Sequence, residues 1–124
     1  MKKEHIMIMV RDILDQLPDD IQENIKNLEF IIEDRPNAEI RRQFRGSMLL
    51  GLYHGVPLPK RGPGYTFLLP DRISLFYENL LKAVNDEKEW PKVLKEVILH
   101  EIGHYFGFNE IEIRKLMNEM TPEE

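Results

Sequence analysis

The sequence predicts a single α+β domain that spans residues 1–124. The chain of 124 residues is long enough for one hydrophobic core and too short for two. Apolar residues recur at spacings of three and four in several stretches, which indicates amphipathic helices. Other short runs are rich in β-branched and aromatic residues, which indicates strands. Helices combined with a few strands in one short chain are typical of an α+β fold.

The amino-terminal third predicts two helices and a strand. The first helix is stopped by Pro18, and its apolar stripe consists of Ile6, Val10, Ile13, Leu14 and Leu17. Asp19 or Asp20 can cap a short second helix that runs through Ile25. The run from Leu28 to Glu33 is then typical of a strand, and the Arg-Pro-Asn sequence after it favours a turn.

The middle of the chain predicts a surface helix, a buried strand and a loop. Residues Ala38 to Arg45 have helical composition, and their arginines are interpreted as a solvated face. The apolar run from Ser47 to His54 indicates a buried strand, in which Gly51 suggests a bulge or a close backbone approach. Residues Gly55 to Tyr65 contain three prolines and three glycines and predict a loop, either a plain connector or a mobile flap near a cleft.

The next predicted elements lead into a long helix. Arg72 to Tyr77 is typical of a strand, whose edge we expect to accept an extended peptide by main-chain hydrogen bonds. Residues Glu78 to Val84 favour a helix, and Asn85 to Lys88 form a charged hinge after it. A last helix is predicted to stop at Thr121-Pro122, and its apolar residues are Ile111, Ile113, Leu116, Met117 and Met120.

The long helix carries the motif HEIGH. Trp90-Pro91 suits a helix start, and the apolar stripe that follows consists of Val93, Leu94, Val97, Ile98 and Ile102. His100 and His104 are four residues apart, so both project from one face of a helix and can reach a single ion. Two such histidines with an intervening Glu101 make an H-E-x-x-H pattern, which is typical of zinc sites with a carboxylate general base. The alternative is a helix with two satisfied histidines, at the surface or in the core, that bind no metal.

A third metal ligand is predicted just after this helix. Gly107 favours the left-handed conformation that ends a helix, and Glu110 follows three residues later, where H-E-x-x-H-x-x-G-x-x patterns place their third ligand. Two histidines and a glutamate leave one zinc position open, which is typical of catalytic sites. Asn109 and Glu112 are rival ligands, although their spacing also predicts a capping pair for the last helix.

Composition limits the classes of function. The chain has no cysteine, so disulfides, thiolate ligands and thiol catalysis are excluded. A net charge of −5 without a long basic run does not favour nucleic-acid binding. The apolar run near the amino terminus is too short for a signal peptide, and no stretch is typical of a transmembrane span. We expect a cytoplasmic protein that acts on a peptide or protein; no pattern indicates an oligomeric state.

Several side chains are candidates for supporting roles. Those that could stabilise an oxyanion are Tyr53, Tyr65, Tyr77 and Arg72, each of which also has a packing or surface explanation. Tyr105 lies about a hundred degrees around the helix from His104 and is interpreted as a core or rim residue. His54 is a conceivable ligand but, at a strand end before a loop, is interpreted as a surface histidine.

Three strings in order, LLGLYHGVPL, LPDRISLFY and HEIGHYFGFNE, resemble the bacterial zincin-like metallopeptidase family. This family comprises small domains related to minigluzincins and to a minimal matrix-metalloprotease-like fold, and the resemblance extends from Leu14 to Leu116. It implies a minimal zincin-like domain with a small twisted sheet of three or four strands packed against helices. It also implies that His100 and His104 bind Zn²⁺ and that Glu101 is the catalytic base.

The resemblance leaves two questions open: how Glu110 binds the metal and which reaction the site catalyses. The family usually has an aspartate at the position of Glu110, so the longer side chain implies either a helix set slightly back or a water-bridged ligand. The predicted reaction is zinc-dependent peptide hydrolysis. The alternatives are a zinc-dependent endoribonuclease, which the acidic surface disfavours, and a non-catalytic metal-binding interaction module.

Overall fold

Six α-helices and three strands form in the part of the chain that the structure, a computed structural model, describes: residues 1–65 and 70–120. The helices are α1 Lys3–Asp15, α2 Asp19–Asn24, α3 Ala38–Gln43, α4 Tyr77–Ala83, α5 Trp90–Phe106 and α6 Glu110–Met120. The strands are β1 Leu28–Glu33, β2 Gly51–His54 and β3 Asp71–Phe76. None of the described helices is long and apolar enough to cross a membrane. Leu69 of the LPDRISLFY string and the predicted helix stop at Thr121-Pro122 lie outside the described residues.

The strands form one mixed sheet in the order β1-β3-β2. The central β3 pairs parallel with β1, with Ile73 opposite Phe30, and antiparallel with β2, with Ile73 opposite Tyr53. Residues 73–76 of β3 are completely buried, which explains why this strand shows no clean separation of polar and apolar faces. The prediction that β3 offers an edge to a peptide is therefore wrong, because β2 and β1 are the edge strands.

The core lies between the sheet and two helices that pack on each other, α1 and α5. Buried residues of the predicted apolar stripes fill it: Ile6, Val10, Ile13 and Leu17 from the first helix and its end, and Leu94, Ile98 and Ile102 from α5. Trp90 at the start of α5 is also buried. The long helix is thus fixed along most of its length, and the predicted α+β fold class is confirmed.

The prediction of a strand from Ser47 to His54 is wrong for the first half of that range. Strand β2 begins at Gly51, and Met48 is 51% exposed. The segment before the strand is bonded to α4 instead, since the Asn79 amide donates to the Leu49 carbonyl over 2.8 Å. The close approach predicted at Gly51 is confirmed, because a Cβ there would lie 2.8 Å from Val97 Cγ1 on α5.

Helix starts follow the sequence in some places only. The Asn37 side chain caps α3 by accepting from the Ile40 N–H over 2.9 Å. The predicted Asp19 or Asp20 cap of α2 is wrong, because that helix begins directly after Pro18 without a side-chain cap bond. Tyr77, predicted as the end of a strand, is the first residue of α4.

Candidate active site

The motif residues lie on the last two turns of α5. Among the described residues, His100, Glu101 and His104 form a group that could hold one metal ion, with potential ligand atoms all within 4.8 Å of one another. The two imidazole rings meet edge to face with centroids 4.6 Å apart. The His100 side chain is 37% exposed and His104 is exposed, whereas Glu101 is buried. Helical spacing thus produces the predicted cluster at the surface of the core.

The Glu101 carboxylate is held by two different partners. Oε1 accepts the backbone N–H of Tyr53 on β2 over 3.0 Å, and Oε2 lies 3.1 Å from His100 Nδ1. Charge-assisted bonds of this kind orient a carboxylate and satisfy its lone pairs in a buried position. Sequence reasoning missed the Tyr53 N–H, because the contact depends on how β2 lies against α5 and has no local signature.

The turn after α5 brings Glu110 back towards the motif. Gly107 ends the helix in the left-handed conformation with φ 74°, as predicted. The structure places Glu110 at the first position of α6, where its Oε1 lies 3.6 Å from His100 Nε2. Its side chain is 74% exposed, and it is not a member of the compact three-residue group.

The two rival ligands have another role. The Asn109 Oδ1 accepts the Glu112 N–H over 2.8 Å, and the Glu112 carboxylate accepts the Asn109 N–H over 3.0 Å. This reciprocal capping pair was predicted and is confirmed. It leaves Glu110 as the carboxylate of this turn that faces a motif histidine.

Helix α6 packs against α5 at a glycine of the motif. A Cβ added at Gly103 would lie 2.4 Å from Ile113 Cγ1, so the glycine inside HEIGH admits the isoleucine of α6. The buried Ile113 is one helical turn from Glu110. The distance from Glu110 to the histidines therefore depends on this contact.

The donor set fits a zinc ion. Imidazole nitrogens and carboxylate oxygens are the nitrogen and oxygen ligands that zinc takes in proteins, and the chain has no thiolate to offer. The Nδ1 atom of His100 is engaged by Glu101, whereas its Nε2 atom faces Glu110. The site is open to the surface, which is typical of catalytic rather than structural metal centres.

Two clefts open onto the motif. One of about 400 Å³ is lined by β2 residues and by all three motif side chains, together with Phe44 and Leu49. Another of about 350 Å³ shares Leu49, His100 and Glu101 with it and extends towards Met48. The edge strand β2 thus runs beside the metal-binding group, and a ligand chain could lie along it.

The three tyrosine hydroxyls considered as oxyanion donors make hydrogen bonds to groups outside the metal-binding group. The Tyr53 and Tyr65 hydroxyls donate to Asp71 over 2.5 and 3.3 Å, and the Tyr77 hydroxyl donates to the Met1 carbonyl. Burial, together with the Asp71 carboxylate, raises the pKa of Tyr53 above its usual value. Tyr105, predicted as a core or rim residue, is fully buried and therefore belongs to the core.

Two polar side chains on neighbouring strands each have one buried nitrogen without a hydrogen bond to any described residue. The Nε2 atom of His54 and the Nε atom of Arg72 are buried without a hydrogen bond among the described residues. His54 is partly buried rather than on the surface as predicted, and burial lowers its pKa. It is not in the group that could hold a metal.

The loop from residue 55 to residue 65 is anchored rather than loosely attached. A buried ion pair joins Arg61 to Asp71 at the start of β3, and the Arg61 Nε donates to the Val56 carbonyl over 2.8 Å. Pro59 packs on the end of α5, where a Cβ at Gly107 would lie 2.8 Å from its Cγ. The loop therefore supports both the sheet and the motif helix.

Comparisons with known proteins identify a family and a shared fold. The family model described as zincin-like metallopeptidase matches residues 25–120, so the match begins later than the resemblance seen from Leu14. A solved structure, a conserved hypothetical protein from T. thermophilus, is similar with a TM-score of 0.60. It is 22% identical, and the match covers 86% of this chain and 94% of that one, which shows a shared fold. No curated protein matches the chain.

Proposed function

Because the chain belongs to the zincin-like metallopeptidase family, we propose that it is a zinc-dependent peptidase with Glu101 as its general base. The proposed metal ligands are His100, His104 and Glu110. The observation that carries the proposal is the group of His100, Glu101 and His104, whose potential ligand atoms lie within 4.8 Å of one another beside an open cleft. A cytoplasmic location stays a prediction from the sequence.

The proposed chemistry divides between the metal and Glu101. Zinc, when bound, supplies Lewis acidity that makes a water more acidic and a carbonyl more electrophilic. Glu101 takes a proton from the water while the water oxygen attacks the scissile carbonyl carbon. When the C–N bond breaks, the leaving amine takes that proton from Glu101, which restores the carboxylate.

The surroundings of Glu101 suit this role. The Tyr53 N–H fixes one carboxylate oxygen, so the side chain is oriented before substrate arrives. A peptide substrate would lie along β2, whose outer edge is unpaired in the described sheet. Main-chain hydrogen bonds to an edge strand bind an extended peptide without strong dependence on its sequence.

The test is the Glu101→Gln variant, because glutamine keeps the acceptor for the Tyr53 N–H but cannot take a proton. At saturating free zinc we expect the variant to be as fully loaded as the native protein, although loss of the carboxylate beside His100 Nδ1 lowers its zinc affinity. Peptide hydrolysis should fall by at least about 100-fold. Hydrolysis of a mixed peptide pool would be followed by mass spectrometry. The matched control is Glu119→Gln, on the exposed side of α6, which should retain activity.

Undiminished hydrolysis in Glu101→Gln would remove the general-base mechanism. A native protein that binds zinc but cleaves no peptide in the pool would instead favour the non-catalytic module. Cleavage of RNA that depends on Glu101 would favour the endoribonuclease alternative.

A further inference from the structure

A cationic pocket lies outside the metal-binding group. It has a volume of about 480 Å³ and lies between α3, α4 and the segment 44–49. Four cationic side chains and one carboxylate line it: Arg35, Arg41, Arg45, Lys82 and Glu78. A positive pocket is notable on a chain whose net charge is −5, because it concentrates charge of the opposite sign at one place.

Only part of this positive charge is neutralised within the described structure. Arg35 donates two hydrogen bonds to Glu78, over 2.7 and 3.3 Å, and this contact lowers the pKa of the Glu78 carboxyl. Arg41 donates to the Pro36 carbonyl over 3.1 Å, which leaves its charge uncompensated. Arg45 and Lys82 form no ion pair within 4 Å among the described residues, and both are exposed, although the charge of Lys82 also contributes to the lowered pKa of Glu78. The cationic pocket therefore keeps an excess of positive charge that faces solvent.

The cationic pocket adjoins the clefts at the motif. Phe44 and Leu49 line both the pocket and the cleft that contains His100 and His104. Met48 lines both the pocket and the second cleft. Phe44 is 37% exposed and Met48 is 51% exposed, so an apolar surface separates the positive charges from the metal-binding group.

We propose that the cationic pocket is a specificity subsite that binds an acidic side chain of the peptide substrate. The substrate class is a peptide with an apolar residue over Phe44 and Met48 and a glutamate or aspartate beyond it, in reach of Arg45 and Lys82. This inference rests on the proposed peptidase function, because it assigns a role to the same cleft. Exposed apolar side chains beside the positive charges suit a peptide better than the continuous phosphate chain of a nucleic acid.

The experiment measures binding separately from cleavage. The zinc-loaded Glu101→Gln protein would be titrated into fluorescent peptides that carry one glutamate, or one glutamine at the same place, moved along an otherwise apolar sequence. Binding would be read by fluorescence anisotropy at two salt concentrations, with a single-stranded RNA oligonucleotide as a further probe. The same peptides would be offered to the active native protein in a cleavage assay.

Two double variants of equal charge test the pocket directly. Arg45→Gln with Lys82→Gln removes two cations of the pocket, whereas Arg42→Gln with Lys88→Gln removes two exposed cations that do not line it. Both variants change the net charge by the same amount, so any general electrostatic effect is matched. Circular dichroism of each variant checks that the fold is intact.

We expect the best glutamate peptide to bind about fivefold more tightly than its glutamine twin, as two partly exposed ion pairs allow. The pocket variant should lose this preference, and the control variant should keep it. Equal binding of the twins, no binding of either, or a preference that survives in the pocket variant would overturn the inference. Tighter binding of RNA than of the acidic peptide, lost in the pocket variant, would also overturn it.

The two proposals fail in different ways. An acidic preference in binding without cleavage of any peptide by the native protein would refute the peptidase and leave the pocket as a binding site for acidic peptides. Cleavage that treats glutamate and glutamine peptides equally, together with equal binding, would refute the subsite and leave the peptidase standing.

Discussion

Glu101 and His100 orient each other at the scale of single residues. A hydrogen bond from His100 Nδ1 to the Glu101 carboxylate leaves the histidine lone pair on Nε2, the atom that lies 3.6 Å from Glu110. A carboxylate that fixes the tautomer of a ligating histidine is a common feature of metal sites. The second Glu101 oxygen is held by the Tyr53 N–H, so the side chain is fixed from both sides.

The first prediction at this scale concerns Glu110. Its assignment as a metal ligand rests on a single distance to a single histidine, so the assignment needs a direct test. We predict that Glu110→Ala weakens zinc binding by at least about 100-fold, since changes to the groups that merely orient metal ligands already cost about 10- to 100-fold. Zinc per chain would be measured by elemental analysis after dialysis, and affinity by competition with a chelating dye. Glu119→Ala, on the same helix, is the matched control.

An unchanged zinc affinity in Glu110→Ala would show that another group completes the site. Substitution by aspartate would further separate direct from water-bridged ligation. A direct ligand at this distance should lose affinity when shortened by one methylene, whereas a water-bridged one should tolerate the change.

The clustering of the candidate site residues on α5 could be predicted from sequence because their arrangement is local. A spacing of four on a helix places His100 and His104 on one face whatever the rest of the chain does. The Tyr53 N–H could not be predicted, because it reaches Glu101 from a position 48 residues away. The sequence suggests the Tyr53 side chain as an oxyanion donor, whereas the group that contacts the site belongs to the backbone.

At the scale of elements, the packing of α6 on α5 decides where Glu110 lies. Gly103 has no Cβ, and Ile113 fills the space that a Cβ would occupy. Both residues are buried, so neither can move towards solvent to relieve a larger side chain. The glycine inside the motif thus sets the separation of the two helices that carry the proposed ligands.

We predict that Gly103→Ala lowers the free energy of unfolding by about 1–3 kcal/mol, the usual cost of overpacking. It should also weaken zinc binding, because α6 must move away and carry Glu110 with it. Urea denaturation of the zinc-free protein gives the first quantity, and dye competition gives the second. Gly64→Ala is the control, since a Cβ there meets nothing within 4 Å.

A double variant sharpens this prediction. Combining Gly103→Ala with Ile113→Ala removes the clash, so zinc affinity should return towards the native value even though a core side chain is lost. If Gly103→Ala alone is neutral for both stability and zinc, the close packing of these helices does not position the site.

Helices and strands were predicted correctly where one hydrophobic periodicity dominates the sequence. The predictions were wrong where tertiary contacts determine the local structure. The stripes of α1 and α5 repeat regularly, and both helices form as predicted. Met48 and its neighbours are apolar, yet they line the clefts instead of extending β2. The Arg61–Asp71 ion pair joins a loop to a strand, and nothing in the linear sequence pairs these two charges. Such pairings depend on the path of the loop, which composition does not determine.

At the scale of the whole molecule, the three proposed metal ligands lie outside the hydrophobic core, although Glu101 beside them is buried. The completely buried residues, such as Ile6, Ile73, Leu94 and Ile98, come from α1, β3 and α5, whereas His104 and Glu110 are exposed. The mixed order β1-β3-β2 could not be predicted, because parallel and antiparallel neighbours arise from long-range pairing. The α+β class could be predicted, because it depends only on which kinds of secondary structure are present.

This separation predicts how the protein responds to loss of metal. Because the core does not include the proposed ligands, chelation should leave the circular dichroism spectrum and cooperative thermal unfolding intact. Zinc should raise the free energy of unfolding by about 2.7 kcal/mol at a free concentration about 100 times its Kd, because it binds only the folded chain. The gain should be smaller in Glu110→Ala at the same free zinc, because the predicted loss of affinity makes that concentration a smaller multiple of the Kd. Unfolding of the native protein on chelation would instead identify a structural zinc, and the catalytic interpretation of the open site would lose its main physical support.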